Sequence, residues 1–153
     1  MAGYLLVAHQ TAQSDELRAA AADLAREDPT AEFVLIVPAT PVVNLLVWER
    51  GETHDVALRH AEAARERLES HGLRIVEAQP ADADPVAAIE DELHAGGRFA
   101  AIVVSTLPPG RSRWLRMDVI SRVRRSCPRH RVIHVAVAKA PTDAPSPARE
   151  LTT

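Results

Sequence analysis

The sequence predicts an α/β fold: a three-layer α/β/α sandwich on a five-stranded parallel sheet. Three observations predict it. Five largely apolar runs recur along the chain, each too short for a helix and rich in strand formers. Stretches with helical spacing and recognisable caps separate them. Most of the runs are apolar throughout rather than alternating, which is the mark of parallel strands covered on both faces. At 153 residues and 46% hydrophobic content, the chain fits one domain, since domains cluster near roughly 100–150 residues. A domain of this size buries about 68–70% of its unfolded surface and needs no metal or disulfide staple. The expected domain spans residues 1–140, with a disordered, proline-containing tail over 141–153.

The first run, Tyr4 to Ala8, reads as a buried strand. Ser14 then offers an N-cap, with Asp15 and Glu16 in the first turn and Leu17, Ala20, Ala21 and Leu24 at helical spacing before Pro29. Phe33 to Val37 is the second strand, ended by Pro38 and Pro41. Val42 to Trp48 is apolar but ambiguous; with prolines upstream and Gly51 downstream it reads as a loop with a short helix. Thr53 is expected to cap a long helix from His54 to Ser70, with Val56, Ala57, Leu58, Ala61, Ala64 and Leu68 as its inner stripe and Gly72 as its stop. Leu73 to Ala78 is the third strand. Asp84-Pro85 opens the next helix as N-cap and first residue, with Val86, Ile89 and Leu93 facing inward and Gly96-Gly97 closing it. Phe99 to Val104 is the fourth strand. A loop over 105–113 leads to a helix beginning at Trp114 or Met117 and ending at Arg125, and Val132 to Val137 is the fifth strand.

Composition excludes several classes. Cys127 is the single cysteine, so no internal disulfide and no cysteine-rich zinc site can form. No apolar run approaches the roughly 18 residues of a membrane helix. The start Met1-Ala2-Gly3-Tyr4 has no basic region before its apolar run, so it does not read as a signal peptide. A cytoplasmic location is expected. The 17 arginines against Lys139 alone, with abundant alanine, read as a compositional habit. The net charge of −3 hides an asymmetry: residues 1–110 carry 8 arginines and 18 acids, whereas 111–131 carry 8 arginines and only Asp118. A basic segment of this kind suits an anionic ligand or an acidic partner. The plainer reading is a solvated helix face that pairs with acidic helices of the same fold.

Ligands in doubly wound sheets sit beyond the carboxyl ends of the strands, where the strand order reverses. That directs attention to residues 9–13, 38–41 and 105–113. His9 ends the first strand there. Of the other six histidines only His130 and His134 are four apart, and they flank or enter the last strand rather than share a helix face. No H-E-x-x-H occurs, all six read as surface or structural groups, and no metal site is expected. No G-x-S-x-G elbow supports serine catalysis. Cys127, in a helix-to-strand turn, reads as a packed thiol, and Asp82 and Asp84 as turn and cap residues. Nucleic-acid binding is not expected, because Trp114 is the only aromatic among the arginines and aromatics are 3% of the chain.

Three stretches, in their order and spacing, resemble the universal stress protein family over roughly residues 3–138. Leu6-Val7-Ala8 with its polar turn is similar to that family's first strand. Asp84-Pro85-Val86-Ala87-Ala88-Ile89 followed by Phe99 to Val104 resembles its DP..AI…D.IVVG stretch. Val119-Ile120-Ser121-Arg122-Val123, Cys127-Pro128 and Val132-Ile133-His134-Val135 resemble its last helix and strand. The resemblance implies a Rossmann-like, adenine nucleotide alpha hydrolase-like fold and a homodimer formed through the last strand, by Val132, Ile133, Val135 and Val137.

Nucleotide-binding members of the family carry Gly-x2-Gly-x9-Gly-Ser/Thr after the fourth strand, where bare glycine amides approach phosphate. Here the first glycine falls on Ser105, the second on Leu107 after one deletion, and the final pair on Met117-Asp118. Pro108 and Pro109 remove further N–H donors. The family's acidic residue ending the first strand falls on Gln10. The resemblance therefore implies a divergent member with a degenerate ATP motif: a small, non-enzymatic regulatory module without a cofactor. The alternative is a sensor that binds ATP, another adenine nucleotide or a different anion, with weak hydrolysis, through His9, Gln10, Ser105, Thr106, Gly110, Arg111 and Arg113. In that alternative the arginines grip phosphate or carboxylate in place of glycine amides. A third reading is a docking module that uses Arg122, Arg124 and Arg125.

Overall fold

The computed structural model describes residues 3–8, 11–39, 50–81, 84–107 and 118–137, with side chains from 55 onward in the helix that begins at residue 50. The expected 141–153 tail and residues 42–49 lie outside these. In chain order the elements are β1 Gly3–Val7, α1 Asp15–Glu27, β2 Glu32–Pro38, α2 Arg50–Ser70, β3 Ile75–Ala81, α3 Pro85–His94, β4 Ala101–Thr106, α4 Val119–Ser126 and β5 Arg131–Ala136. The five strands form one parallel sheet in the order β3-β2-β1-β4-β5. The predicted fold class is therefore the observed one.

Local chemistry explains where the helices start and stop. The Ser14 hydroxyl accepts the Leu17 amide at 3.1 Å and starts α1. Asp84 accepts the Val86 amide at 3.0 Å, with Pro85 behind it as the first residue of α3. At the end of α2, Gly72 adopts φ +85°. Its amide reaches the Glu69 carbonyl at 3.0 Å, and the Leu73 amide reaches the Leu68 carbonyl at 3.2 Å, the paired bonds of a Schellman stop.

Each face of the sheet has its own core. Tyr4, Leu6, Phe33, Leu35 and Val103 meet α1 and α2 through Leu17, Ala21, Leu24, Ala57, Ala61, Ala64 and Leu68. Leu5, Val7, Ile36, Ile102 and Val104 meet α3 and α4 through Val86, Ile89, Val119, Ile120 and Val123. Every residue of β4 is buried, which is why its sequence carries no alternation.

Several boundaries differ from the expectations. The α2 backbone is helical from Arg50, so Thr53 lies inside the helix and is not its cap. Val56 and Leu58 are half-buried, and the alanines with Leu68 form the buried stripe. β3 runs later than expected, to Ala81, because it pairs with β2 as far as Pro38. β4 starts at Ala101, since Phe99 packs against the α3 and α4 core from the preceding turn. The last described helix spans Val119–Ser126 after Asp118, and the expected starts at Trp114 or Met117 lie outside the described residues.

Candidate functional site

The strand order reverses between β1 and β4: the chain steps outward from β1 to β3, then returns to the other side with β4 and β5. The carboxyl ends of β1 and β4 thus frame the crevice in which such folds hold ligands. Of the seven candidate residues, Ser105 and Thr106 are described, and His9, Gln10, Gly110, Arg111 and Arg113 lie outside the described residues.

Ser105 and Thr106 end β4 and are 1% and 2% exposed. Being adjacent in a strand, they point to opposite faces. The Thr11 hydroxyl donates to the Ser105 carbonyl at 3.2 Å, tying the turn after β1 to the end of β4. The Ser105 hydroxyl is buried and has no partner among the described residues. On the other face, Thr106 Oγ1 lies 2.8 Å from His134 Nε2 on β5. Burial, reinforced by the Arg124 guanidinium, pushes the His134 imidazole below its ordinary value. Thr11 lies in the 9–13 loop that the sequence singled out but was not itself a candidate, and His134 carried no site signal. A threonine in a turn and a histidine in a strand become informative only once β4 is placed between them.

Asp118 precedes the first residue of α4. It is the one described non-glycine residue with positive φ, at φ 55° and ψ 39°, a conformation aspartate tolerates better than most residues. Its exposed side chain makes no cap bond to α4. A carboxylate there occupies the positive end of the helix, in competition with any other anion.

The basic helix is partly neutralised within the fold. Arg122 Nη2 lies 3.0 Å from Asp84 Oδ2, whereas Arg124 and Arg125 are exposed. An open groove of about 340 Å³ runs between α3 and α4, lined by Asp84, Val86, Ala87, Glu90, Arg122, Arg125 and Ser126. Its charges balance, so it presents no anion cradle. Cys127 is buried, and burial followed by the nearby Glu90 pushes its thiol up, away from the reactive thiolate. Among the described residues no group of three histidine, cysteine or acidic side chains could hold a metal ion. None of the described helices is long and apolar enough to cross a membrane.

Sheet order and switch point together define a doubly wound α/β protein whose crevice ends in hydroxyl groups. No family model and no curated protein matches the chain. Four chains of solved structures do match. One is a universal stress protein from Archaeoglobus fulgidus, with a TM-score of 0.56, 16% identity, and coverage of 88% of this chain and 93% of that one. At that identity the likeness is one of fold.

Proposed function

We propose that this chain is a small cytoplasmic regulatory module resembling the universal stress proteins, non-enzymatic and homodimeric, which does not hold ATP in the glycine-loop manner of that family. One observation carries the reading. The residues that end β4, where bare amides would meet phosphate, bear side chains that are buried and packed into the protein. The Asp118 carboxylate at the start of α4 adds repulsion toward a phosphate. Calorimetry with magnesium and ATP, together with mass analysis of small molecules released from the purified protein, tests it. The expected result is no stoichiometric nucleotide. Magnesium-dependent ATP binding in the micromolar range would overturn it.

The Ser105 hydroxyl, which has no partner among the described residues, favours a second reading, an anion or nucleotide sensor in which it joins His9, Gln10, Thr106, Gly110, Arg111 and Arg113 around a ligand. Ser105→Ala and Arg111→Ala each weakening the same ligand is the outcome that selects this reading.

The dimer proposal draws on a contrast between the two sheet edges. β3 contains Pro80, and Arg65 Nη2 donates to the Ile75 carbonyl at 3.2 Å, so its edge is blunted. β5 has no proline, and Val132, Ile133 and Val135 are half-buried. Val137 is buried within the chain, its amide bonded to the Thr106 carbonyl at 2.9 Å, so it supports β5 from behind. Light scattering of the wild type and of Ile133→Pro tests this: a dimer that the proline abolishes is expected, and a monomeric wild type at micromolar concentration removes the idea.

A further inference from the structure

The contact between Thr106 and His134 has a chemistry that its position at the sheet edge makes consequential. β4 and β5 are in register with Val104 opposite His134 and Thr106 opposite Ala136. Thr106 and His134 are thus diagonal neighbours on one face, close enough for long side chains to meet. That face is the one covered by α4, since Val104 and Val132 pack into the α3 and α4 core. The Thr106 residue also holds β5 through its backbone, by accepting the Val137 amide at 2.9 Å. One residue at the end of β4 therefore secures the last turn of the edge strand twice.

Thr106 Oγ1 lies 2.8 Å from His134 Nε2; in the neutral imidazole with its proton on Nδ1, Nε2 carries the lone pair to which that hydroxyl donates. An imidazolium has no lone pair on either nitrogen. The hydroxyl would then have to turn its proton elsewhere from a position 2% exposed. The surroundings also disfavour the cation. From α4 the positive charge of Arg124 acts on His134. From β4 the neighbours are Val104 and the uncharged Thr106. Ile133 and Val135, beside it on β5, turn to the opposite face and pack there against the α1 and α2 core. Among the described residues, no carboxylate acts on the ring. β5 is an edge strand, and His134 is already half-buried rather than enclosed.

We infer that Thr106 and His134 form an acid-released latch: at neutral pH the pair closes the end of β5 onto β4, and protonation swings the imidazole out and frees that end. The inference needs no ligand at the crevice; a dimer through β5 would cover the same edge, so its readouts are taken at a dilution where the chain is monomeric.

Nuclear magnetic resonance of the full chain tests it. Nitrogen shifts of the His134 ring should show an unprotonated Nε2 at neutral pH and a titration midpoint below 6.5. Thr106→Val removes the donor and should raise that midpoint. Arg124→Gln, an exposed substitution, should raise it too and serves if the valine variant folds poorly. Amide exchange of Val137, taken as a ratio to Val7 in the central strand, should quicken about three- to tenfold as the ring protonates, the range expected for one lost hydrogen bond. His134→Gln keeps a neutral hydrogen-bonding side chain and should abolish that change. Equal Val137 protection on both sides of the midpoint, or the same pH curve in His134→Gln, overturns the latch.

Discussion

Thr11 Oγ1 donates to the Ser105 carbonyl oxygen at 3.2 Å, joining residues 94 positions apart across the point where the strand order reverses. Both are buried. Thr11→Val keeps the shape and leaves that carbonyl without its side-chain donor, so it should cost about 1–2 kcal/mol of stability. Thr11→Ser keeps the donor and should cost less. Urea unfolding of the three proteins checks the order.

Asp84 has two roles, capping α3 and pairing with Arg122 on α4. Asp84→Ala removes both and should cost about 1–2 kcal/mol, most of it from the cap. Arg122→Gln removes only an ion pair whose side chains are 34% and 39% exposed, and should cost less than about 1 kcal/mol. A double-mutant cycle in urea measures the coupling.

Two groups predict how stability follows pH, with opposite signs. The His134 imidazole is held below its ordinary value by burial and then by Arg124. The folded state therefore binds its proton less readily than the unfolded chain, and stability is lost as pH falls below about 6.5 through the folded value. Burial pushes the Glu92 carboxyl up, with Glu77 and Asp91 adding to the rise against the Gln79 hydrogen bond. Its contribution is present in acid and is lost as pH rises from about 4.5 through the folded value. Denaturation midpoints should thus fall from pH 7 to 6 in the wild type and stay flatter in His134→Gln. Glu92→Gln should be neutral or slightly stabilising at pH 7, by up to about 0.5 kcal/mol.

Gly97 and Gly72 should resist substitution for different reasons. A Cβ on Gly97 would sit 2.7 Å from the Phe99 ring and 2.8 Å from the Glu92 carbonyl oxygen, so Gly97→Ala should cost about 1–3 kcal/mol by overpacking. A Cβ on Gly72 meets nothing within 4 Å, but φ is +85°. Gly72→Ala should cost about 1 kcal/mol from backbone conformation alone, and Gly72→Asn less. Thermal unfolding of the three variants separates the two causes.

Much of this fold was legible residue by residue. Ser14, Asp84-Pro85 and Gly72 act through bonds to amides and carbonyls within five positions, so their roles can be read without a tertiary context. Thr53 misled because a good capping residue followed by helical spacing is also compatible with a helix already under way. The sequence marked Ser105 and Thr106 through their place after the fourth apolar run, yet gave no hint of their partners. Thr11 and His134 come from other strands and turns, and only the sheet order brings them to β4.

The sequence by itself determined the five strands, their parallel arrangement and the helices described between them. Each of these follows from apolar periodicity or local backbone chemistry. Only the tertiary structure decided the full strand order, which arginine of α4 is neutralised, and which hydroxyls at the crevice are engaged. Those depend on contacts between residues dozens of positions apart, set by how two cores pack on opposite faces of one sheet.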